Sequence, residues 1–216
     1  PPAAREEYRV ELYLQSRGVS LDVIRYCISR GILYESLPYH SCVFVGLDRN
    51  GVPRYAALRS TCDGPKAFKR EQAGSDKRHS FCIPPEVRSR RAAVYEAAPD
   101  ALAHMTLEGG RADKYRLSLG GIYVPQDTST DRPAKSPAAL EAFLQSHPEV
   151  DELELCIDND RAGRWAAQNI AKHYSKEYTV TVNLPPIEGY DWADMAKEEK
   201  EKRAARSRAV CLDREL

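Results

Sequence analysis

The stretch LELCIDNDRAGR, residues 153–164, places an apolar run directly before two aspartates and a glycine. Such a run is typical of a buried strand, and Asp160 stands where it could cap a following helix. Asp158 and Asp160 are two residues apart, so in extended chain their side chains point the same way and can share one cation. The stretch therefore predicts a strand that ends in an acidic pair and is followed by a helix.

The alternation of strand and helix extends over the chain from residue 91 onward. We predict strands at 92–96, 116–121, 153–158 and 178–184, and helices at 99–107, 137–146 and 161–174. Apolar strands that alternate with helices favour an α/β fold, in which helices cover both faces of a parallel sheet. Ligands of such sheets gather at the carboxyl ends of the strands. Because Glu96 ends one strand and Asp158 ends another, we expect both at that edge.

The first 90 residues have a different pattern. Helices are predicted at 5–17 and 20–30, followed by a hairpin whose strands, 42–47 and 54–58, flank the turn Asn50-Gly51. The polar segment 61–80 is predicted to be a long functional loop. The resulting division is a small α+β domain with a basic loop at 1–90, an α/β domain at 91–196 and a charged C-terminal helix or tail at 197–216.

Charge is distributed unevenly, although 32 basic residues balance 32 acidic ones over the whole chain. Residues 54–91 hold ten Lys or Arg against four Asp or Glu, whereas residues 96–160 hold five against thirteen. A basic region beside an acidic one suits a protein that holds both a polyanion and a divalent cation. Chance clustering on solvated faces is the alternative at this stage.

Cysteine usage and hydropathy bear on location. The six cysteines form no C-x-x-C pair, so neither a zinc ribbon nor a redox pair is predicted. Reduced thiols and the lack of a signal peptide or a membrane-length apolar run lead us to expect a cytoplasmic protein with no membrane partner. The first residue is not methionine, and we expect a fragment of a longer protein.

The acidic residues predict a metal centre. An all-oxygen cluster of Glu96, Asp158 and Asp160 suits Mg²⁺ or Mn²⁺ and does not suit zinc. Because magnesium held by few carboxylates completes its shell with water and phosphate oxygens, the expected substrate is a nucleotide or a nucleic-acid backbone. Asp160 could equally be only a helix cap, and Asp191 with Asp194 could be a turn and a cap.

The order of these motifs resembles the toprim domain, the metal-binding module shared by topoisomerases and bacterial-type primases. The resemblance runs from residue 92 to about 196 and rests on VYEAAPDAL, SLGG and CIDNDRAGR, at 94–102, 118–121 and 156–164. It follows the patterns hydrophobic-E-G-x-x-D and D-x-D-x-x-G, except that Ala97 replaces the glycine after the glutamate. The resemblance implies a toprim-like, Rossmann-like parallel sheet flanked by helices.

The first half resembles the uncharacterised domain that precedes toprim in proteins of conjugative and other mobile elements. The resemblance rests on residues 13–36, 42–61 and 74–81, which read YLQSRGVSLDVIRYCISRGILYES, CVFVGLDRNGVPRYAALRST and GSDKRHSF. Their layout is similar to the amino-terminal part of the bacterial primase catalytic core. Together the two resemblances cover nearly the whole chain.

Position and resemblance together suggest roles for three groups of residues. The catalytic and metal-binding group is Glu96, Asp158 and Asp160, with Asp100, Asp191 and Asp194 as further metal ligands. The candidates for contacting template or triphosphate are Arg59, Lys66, Lys69, Arg70, Lys77, Arg78, Arg161, Arg164, Gly120 and Gly121. The alternatives are that the lysines are merely solvated, that Arg161 and Arg164 pair with carboxylates structurally, and that the two glycines form an ordinary turn.

The function implied is primase-like nucleotidyl transfer on single-stranded DNA from nucleoside triphosphates, in the replication or transfer of a mobile element together with replication or transfer proteins. A toprim-type nuclease would use the same carboxylates, so the residues do not separate the two. A non-catalytic DNA-binding module of a plasmid-transfer complex is a third hypothesis, and the crowding of like charges weighs against it. A topoisomerase is disfavoured, because it would need a tyrosine-bearing cleavage domain that has no evident counterpart here. A phosphatase with Asp158 as nucleophile is disfavoured, because it would need Thr or Val directly after the second aspartate, where this chain has Arg161.

Overall fold

The computed structural model describes residues 1–62, 64–65, 67–122 and 136–212, with side chains as far as residue 208. Over these residues the chain forms two β-sheets and six α-helices. The helices are α1 (Tyr8–Ser16), α2 (Leu21–Ser29), α3 (Ala98–Leu107), α4 (Ala138–Ser146), α5 (Arg161–Tyr174) and α6 (Trp192–Leu212). The strands are β1 (Leu33–Glu35), β2 (Cys42–Leu47), β3 (Pro53–Arg59), β4 (Lys69–Glu71), β5 (Cys82–Ile83), β6 (Arg91–Tyr95), β7 (Tyr115–Ser118), β8 (Glu152–Leu155) and β9 (Thr179–Val182).

The first sheet is antiparallel, with strand order β1-β2-β3-β4. The expected hairpin joins β2 to β3, and Gly51 in its turn adopts a left-handed φ of 74°. The prediction of a loop over 61–80 was wrong in part, because this segment also forms β4 and a short 3₁₀ helix, η1 (Lys77–His79). All three residues of β4 are exposed, so this edge strand forms through backbone pairing and carries no apolar pattern.

The second sheet has the order β5-β7-β6-β8-β9, and its last four strands are parallel. This confirms the predicted α/β fold, with one antiparallel edge strand, β5, that the sequence did not indicate. Three strands are shorter than predicted, and they end at Ser118, Leu155 and Val182. After β7 the chain turns through Gly120 and Gly121, which both have positive φ, so the pairing cannot continue there.

The two regions of the chain share one hydrophobic core. Its buried members come from the early helices and sheet, such as Ile24 and Phe44, and from the later ones, such as Tyr95, Leu102 and Trp192. A second cluster lies under α4 and α5 on the other face of the parallel sheet. Alternate residues of β6 supply the two clusters, as the period of a strand requires.

Helix α6 packs along α3 and against the turn that follows α1. A Cβ atom on Gly18 would lie 2.4 Å from the carbonyl carbon of Ala196, so only glycine allows this approach. Residues 200–208 of α6 are exposed. The division at residue 197 falls inside this helix, and the three-part division of the chain remains a proposal. No helix in the described part of the chain is both long enough and apolar enough to span a membrane.

A buried ionic network lies at the beginning of β7. Lys114 and Arg116 are 2% and 0% exposed, and both pair with Glu108, at Nζ to Oε1 2.8 Å and Nη1 to Oε2 2.6 Å. Lys114 also pairs with Glu154. Burial by itself would raise the pKa of Glu108, but Arg116 and Lys114 together lower it to about 2. The two cations therefore depend on carboxylates for their solvation inside the protein.

We predict that Glu108→Gln lowers the free energy of unfolding by about 3 kcal/mol at pH 7, because it leaves buried cations without a full partner. The pKa of Glu108 is lower in the folded chain than the ordinary 4.5, so its contribution is present above pH 4.5 and is lost as the pH falls towards about 2. The difference between wild type and variant should shrink over that interval in urea titrations. An unchanged difference down to pH 2 would contradict the network, and Glu201→Gln, at an exposed site, is the control.

Candidate metal and nucleotide site

Carboxylates from three parts of the chain meet beyond the carboxyl ends of the parallel strands. Glu96 directly follows β6, and Asp158 follows β8 by three residues. Asp160 caps α5 by accepting a hydrogen bond from the backbone N–H of Gly163, at 2.6 Å. Asp191 lies just before α6, where its Oδ1 accepts one from the backbone N–H of Asp194, at 2.6 Å. Both aspartates are helix caps, and each cap uses only one carboxylate oxygen.

The pKa values show that these carboxylates influence one another. Burial raises the pKa of Asp158 to about 7, and repulsion from Glu96, Asp191 and Asp160 adds to this effect. Burial also raises the pKa of Glu96, with further repulsion from Asp160 and Asp191. Burial also raises the pKa of Asp191, and repulsion from Asp194 adds to this effect. The structure therefore concentrates negative charge at this edge of the sheet.

Asp100 lies deeper than the other acidic residues. It is in the first turn of α3, is 4% exposed, and its pKa is raised well above the ordinary range by burial, by Asp158 and by Asp191. A carboxyl group in this position favours the protonated form. Asp100 is therefore the most buried of these acidic residues.

The geometry and chemistry of the cluster test whether a cation fits. Among the described residues, no three His, Cys, Asp or Glu side chains are arranged to hold a metal ion as they stand. However, Oδ1 of Asp158 is buried and has no hydrogen-bond partner. A carboxylate oxygen in such a place is costly unless a proton or a cation binds it. The orphaned oxygen and the mutual repulsion among oxygen donors fit a divalent cation, for which the side chains would have to move closer together.

Basic side chains of the first sheet face the carboxylates. Arg59 ends β3 and is the register partner of Lys69 on β4. Arg59 acts to lower the pKa of Asp100 and Asp191, and Lys69 acts to lower that of Glu96. The Nε–H of Arg59 also donates to the hydroxyl of Tyr13, at 3.0 Å, which orients the guanidinium group. The site therefore has an acidic wall, formed by the carboxylates, and a basic wall, formed by Arg59 and Lys69.

Sequence analysis missed Arg17 and Tyr13. Arg17 follows α1 and acts to lower the pKa of Asp191, although it lies far from the acidic motifs in sequence. Arg17 is the last residue of the helix predicted at 5–17, and this position indicated only a helix boundary. Tyr13 carried no signal, because a tyrosine on the apolar face of a helix is normally explained by packing.

Three of the predicted basic residues on segment 61–80 have partners of their own. Lys77 pairs with Glu71, at 2.9 Å, and also donates to the carbonyl of Gly120, at 3.0 Å. Arg78 forms paired hydrogen bonds with the carboxylate of Asp76. The guanidinium group of Arg70 lies 4.9 Å from the ring centre of Phe68. Lys66 lies outside the described residues.

The two arginines that follow the acidic pair differ in their contacts. Arg164 donates to the backbone and side-chain oxygens of Asn159, at 3.0 Å, and pairs with Glu188, at 2.9 Å. It therefore fixes the loop between β9 and α6 and does not pair with the predicted metal ligands. Arg161 is exposed at the first position of α5. Its predicted role with phosphate remains a proposal.

Glycines and one alanine determine how the backbone passes the cluster. A Cβ on Gly163 would lie 2.0 Å from the carbonyl oxygen of Asp158, so glycine is required where α5 begins. The N–H of Gly121 donates to the carbonyl of Glu96, at 3.0 Å. Ala97 has an extended backbone, with φ −131° and ψ 160°, which any residue can adopt. Its replacement of the usual glycine therefore introduces no backbone strain.

Trp192 connects α6 to the segment that follows β8 and carries Asp158. Its indole N–H donates to the carbonyl of Cys156, at 3.1 Å, and its ring stacks on His104 with 3.8 Å between ring centres. Cys156 lies two residues before Asp158, and Trp192 directly follows Asp191. The indole thus holds together the two segments that carry these aspartates.

We predict that Gly163→Ala lowers the free energy of unfolding by about 1–3 kcal/mol, because the added methyl group forces α5 away from Asp158. Chemical denaturation followed by circular dichroism measures this change. Ala162→Ser, on the same helical turn and half-buried, is the control and should cost less. Equal stability of Gly163→Ala and wild type would show that the backbone can move aside freely.

We predict that Trp192→Phe lowers the free energy of unfolding by about 1–2 kcal/mol, because the buried carbonyl of Cys156 loses its donor while an aromatic ring remains over His104. Urea titration is again the measurement. Trp165 on α5, which is half-buried, offers a matched control in Trp165→Phe. A smaller loss of unfolding free energy in Trp192→Phe than in Trp165→Phe would contradict the role given to the indole N–H of Trp192.

The comparisons with known proteins agree with this architecture. The model of a family described as Toprim-like matches residues 93–196, and that of a protein of unknown function, DUF3991, matches residues 12–86. None of the curated proteins matches the chain.

Solved structures of primases share the fold. The primase fragment of the bacteriophage T7 primase-helicase protein is 15% identical, with a TM-score of 0.58, and the match covers 89% of this chain and 72% of that one. The DnaG catalytic core is 18% identical, with a TM-score of 0.55 and coverage of 97% and 74%. The DnaG primase catalytic domain bound to ssDNA is 17% identical, with a TM-score of 0.54 and coverage of 93% and 71%. The chain therefore combines a segment that matches DUF3991 with a following segment that matches the Toprim-like family, and its fold is similar to that of primase catalytic cores.

Proposed function

We propose that this chain is a primase-like enzyme that joins nucleoside triphosphates on a single-stranded DNA template with the help of Mg²⁺ or Mn²⁺. The observation that carries the proposal is the pairing of two walls: carboxylates at the carboxyl edge of the parallel sheet, and Arg59 and Lys69 of the first sheet opposite them. An acidic wall suits cations, and a basic wall suits the phosphates that the cations bind. The similarity in fold to primase cores supports the same class of reaction.

The residues of the cluster have distinct roles in this proposal. Glu96, Asp158 and Asp160 would hold the cation, and Asp191 and Asp194 would serve a second cation. A divalent cation at this place would supply Lewis-acid activation of a 3′-hydroxyl and stabilise a leaving pyrophosphate. Since Asp160 and Asp191 already accept one backbone N–H each, their orientation is set before any ligand arrives. This pre-organisation lowers the cost of binding a cation.

The basic wall positions the other reactant. Arg59 and Lys69 would neutralise the triphosphate or the template backbone, and Arg59 is already oriented by Tyr13. Arg17 would complete this wall on the side of Asp191. Replication or transfer proteins of a mobile element are proposed partners, and the hydrolysis of nucleic acid by the same carboxylates is the alternative reaction.

We predict that Asp158→Asn lowers metal-dependent primer synthesis by about 100-fold or more, since it removes the negative charge of the carboxylate whose buried oxygen lacks a partner. The assay incubates a single-stranded oligonucleotide with radiolabelled nucleoside triphosphates and Mn²⁺, and separates products on a gel. Glu201→Gln removes an exposed carboxylate elsewhere and should keep full activity. Thermal unfolding of both variants verifies that they are folded.

The same gels distinguish the alternatives. New labelled products longer than one nucleotide support primase-like transfer. Shortening of an end-labelled template that depends on Asp158 would replace this proposal with a nuclease. Retained template binding with neither product, in wild type and variant alike, would identify a binding module and contradict the enzyme.

A further inference from the structure

A second groove lies between α4 and the first sheet, away from the carboxylates. Its volume is about 410 Å³, within the range of small-molecule sites. Its walls come from the end of α2, the turn after β2, η1, the beginning of β7 and the end of α4. Tyr115 begins β7, whereas the acidic cluster lies beyond the carboxyl ends of the strands. The groove therefore extends to the opposite end of the parallel sheet.

Positive charge dominates the rim of this groove. Arg30, Arg49 and Arg78 line it, and Asp48 is the acidic residue among its lining side chains. Asp48 is already paired with Arg54, at 2.8 Å, and Arg78 is paired with Asp76. Within the described residues, neither Arg30 nor Arg49 has a carboxylate within ion-pair distance, so their charge is available to an anion.

Aromatic rings form the opposite wall. The rings of Phe143 and His147 stack with 4.2 Å between centres, and Tyr115 lies 4.7 Å from His147. Nδ1 of His147 is close to the carbonyl of Phe143, at 2.9 Å, while its Nε2 has no hydrogen-bond partner among the described residues. The wall thus offers ring surface and a free imidazole nitrogen, the groups that hold a planar heterocycle.

Close backbone packing builds the groove. A Cβ on Gly46 would lie 1.7 Å from the carbonyl oxygen of His79, so glycine allows η1 to lie directly on β2. On the other side, Nη2 of Arg49 donates to the carbonyl of Gln145 near the end of α4, at 2.7 Å. These contacts hold η1 against β2 and the turn after β2 against α4, and the groove is the space that remains between these segments.

We propose that this groove is a binding site for a free nucleotide, with the phosphates at Arg30 and Arg49 and the base against His147 and Tyr115. Phosphate suits arginines that lack a carboxylate partner, and a base suits the aromatic wall. The groove is enclosed by five segments of the chain, and this enclosure favours a compact ligand over an extended single strand. The inference does not depend on the function proposed for the carboxylates.

The test measures the anisotropy of fluorescently labelled ATP titrated with protein in EDTA, so that no cation bridges the ligand to the acidic cluster. Wild type and Asp158→Asn should bind equally. The double variant Arg30→Glu, Arg49→Glu should bind at least about tenfold more weakly, because two attractive charges become repulsive. His147→Leu, which keeps an apolar side chain there, should also weaken binding.

A matched control separates specific binding from overall charge. Lys172→Glu with Lys176→Glu makes the same change in net charge at exposed positions on and after α5, and should leave affinity unchanged. Equal weakening by both double variants, or no binding by the wild type, would overturn the proposal. Displacement of the labelled ATP by short oligothymidylate at much lower concentration than by unlabelled ATP would overturn it in favour of a strand-binding groove.

Loss of this binding and loss of primer synthesis are distinguishable. Asp158→Asn should abolish primer synthesis and keep ATP binding in EDTA. The arginine double variant should do the reverse: it should lose ATP binding and keep primer synthesis. Circular dichroism and thermal unfolding of each variant verify the fold. A double variant that unfolds is replaced by the single variant Arg30→Glu, whose guanidinium group is exposed and should still weaken binding.

Discussion

Repulsion among carboxylates at one edge of the parallel sheet is the constraint on which the rest of the structure depends. Burial and its acidic neighbours raise the pKa of Asp158 to about 7, so holding these groups together costs free energy that other contacts must offset. Three contacts contribute to this. Helix α5 passes close to Asp158 only because residue 163 is glycine, the indole N–H of Trp192 donates to the carbonyl of Cys156, and the backbone N–H of Gly121 donates to that of Glu96. A chain with no use for the cluster could relieve the repulsion by replacing any one of these acids.

The shared core explains how the basic wall comes to face this edge. Residues of α1, α2 and β2 pack in one cluster with β6, α3 and α6, and Gly18 allows α6 to approach the first half closely. This packing brings Arg59 and Arg17 towards Asp191, which follows both of them by more than one hundred residues. Because phosphate and cation must meet at one point, the site depends on the core between the two halves as much as on either sheet.

The sequence predicted the βα alternation, the parallel sheet and the position of Glu96 and Asp158, because apolar runs and strand-end acids are local patterns. It did not indicate β4, whose residues are all exposed, or β5, which has only two residues. Arg17 and Tyr13 could not be assigned to the site, since their positions there follow from packing between distant segments. The caps formed by Asp160 and Asp191 were foreseen as alternatives to a metal site, and the structure shows why the two are compatible: each cap leaves carboxylate oxygen free.

Anomalous diffraction at the manganese edge, from crystals of the chain soaked with Mn²⁺, tests whether the carboxylates hold a cation. We expect a peak within coordination distance of Asp158 and of at least one of Glu96 and Asp160, and no such peak in Asp158→Asn crystals. Manganese bound elsewhere, with the Asp158 carboxylate unliganded in a soak that saturates other sites, would contradict the assignment of this cluster as a metal centre.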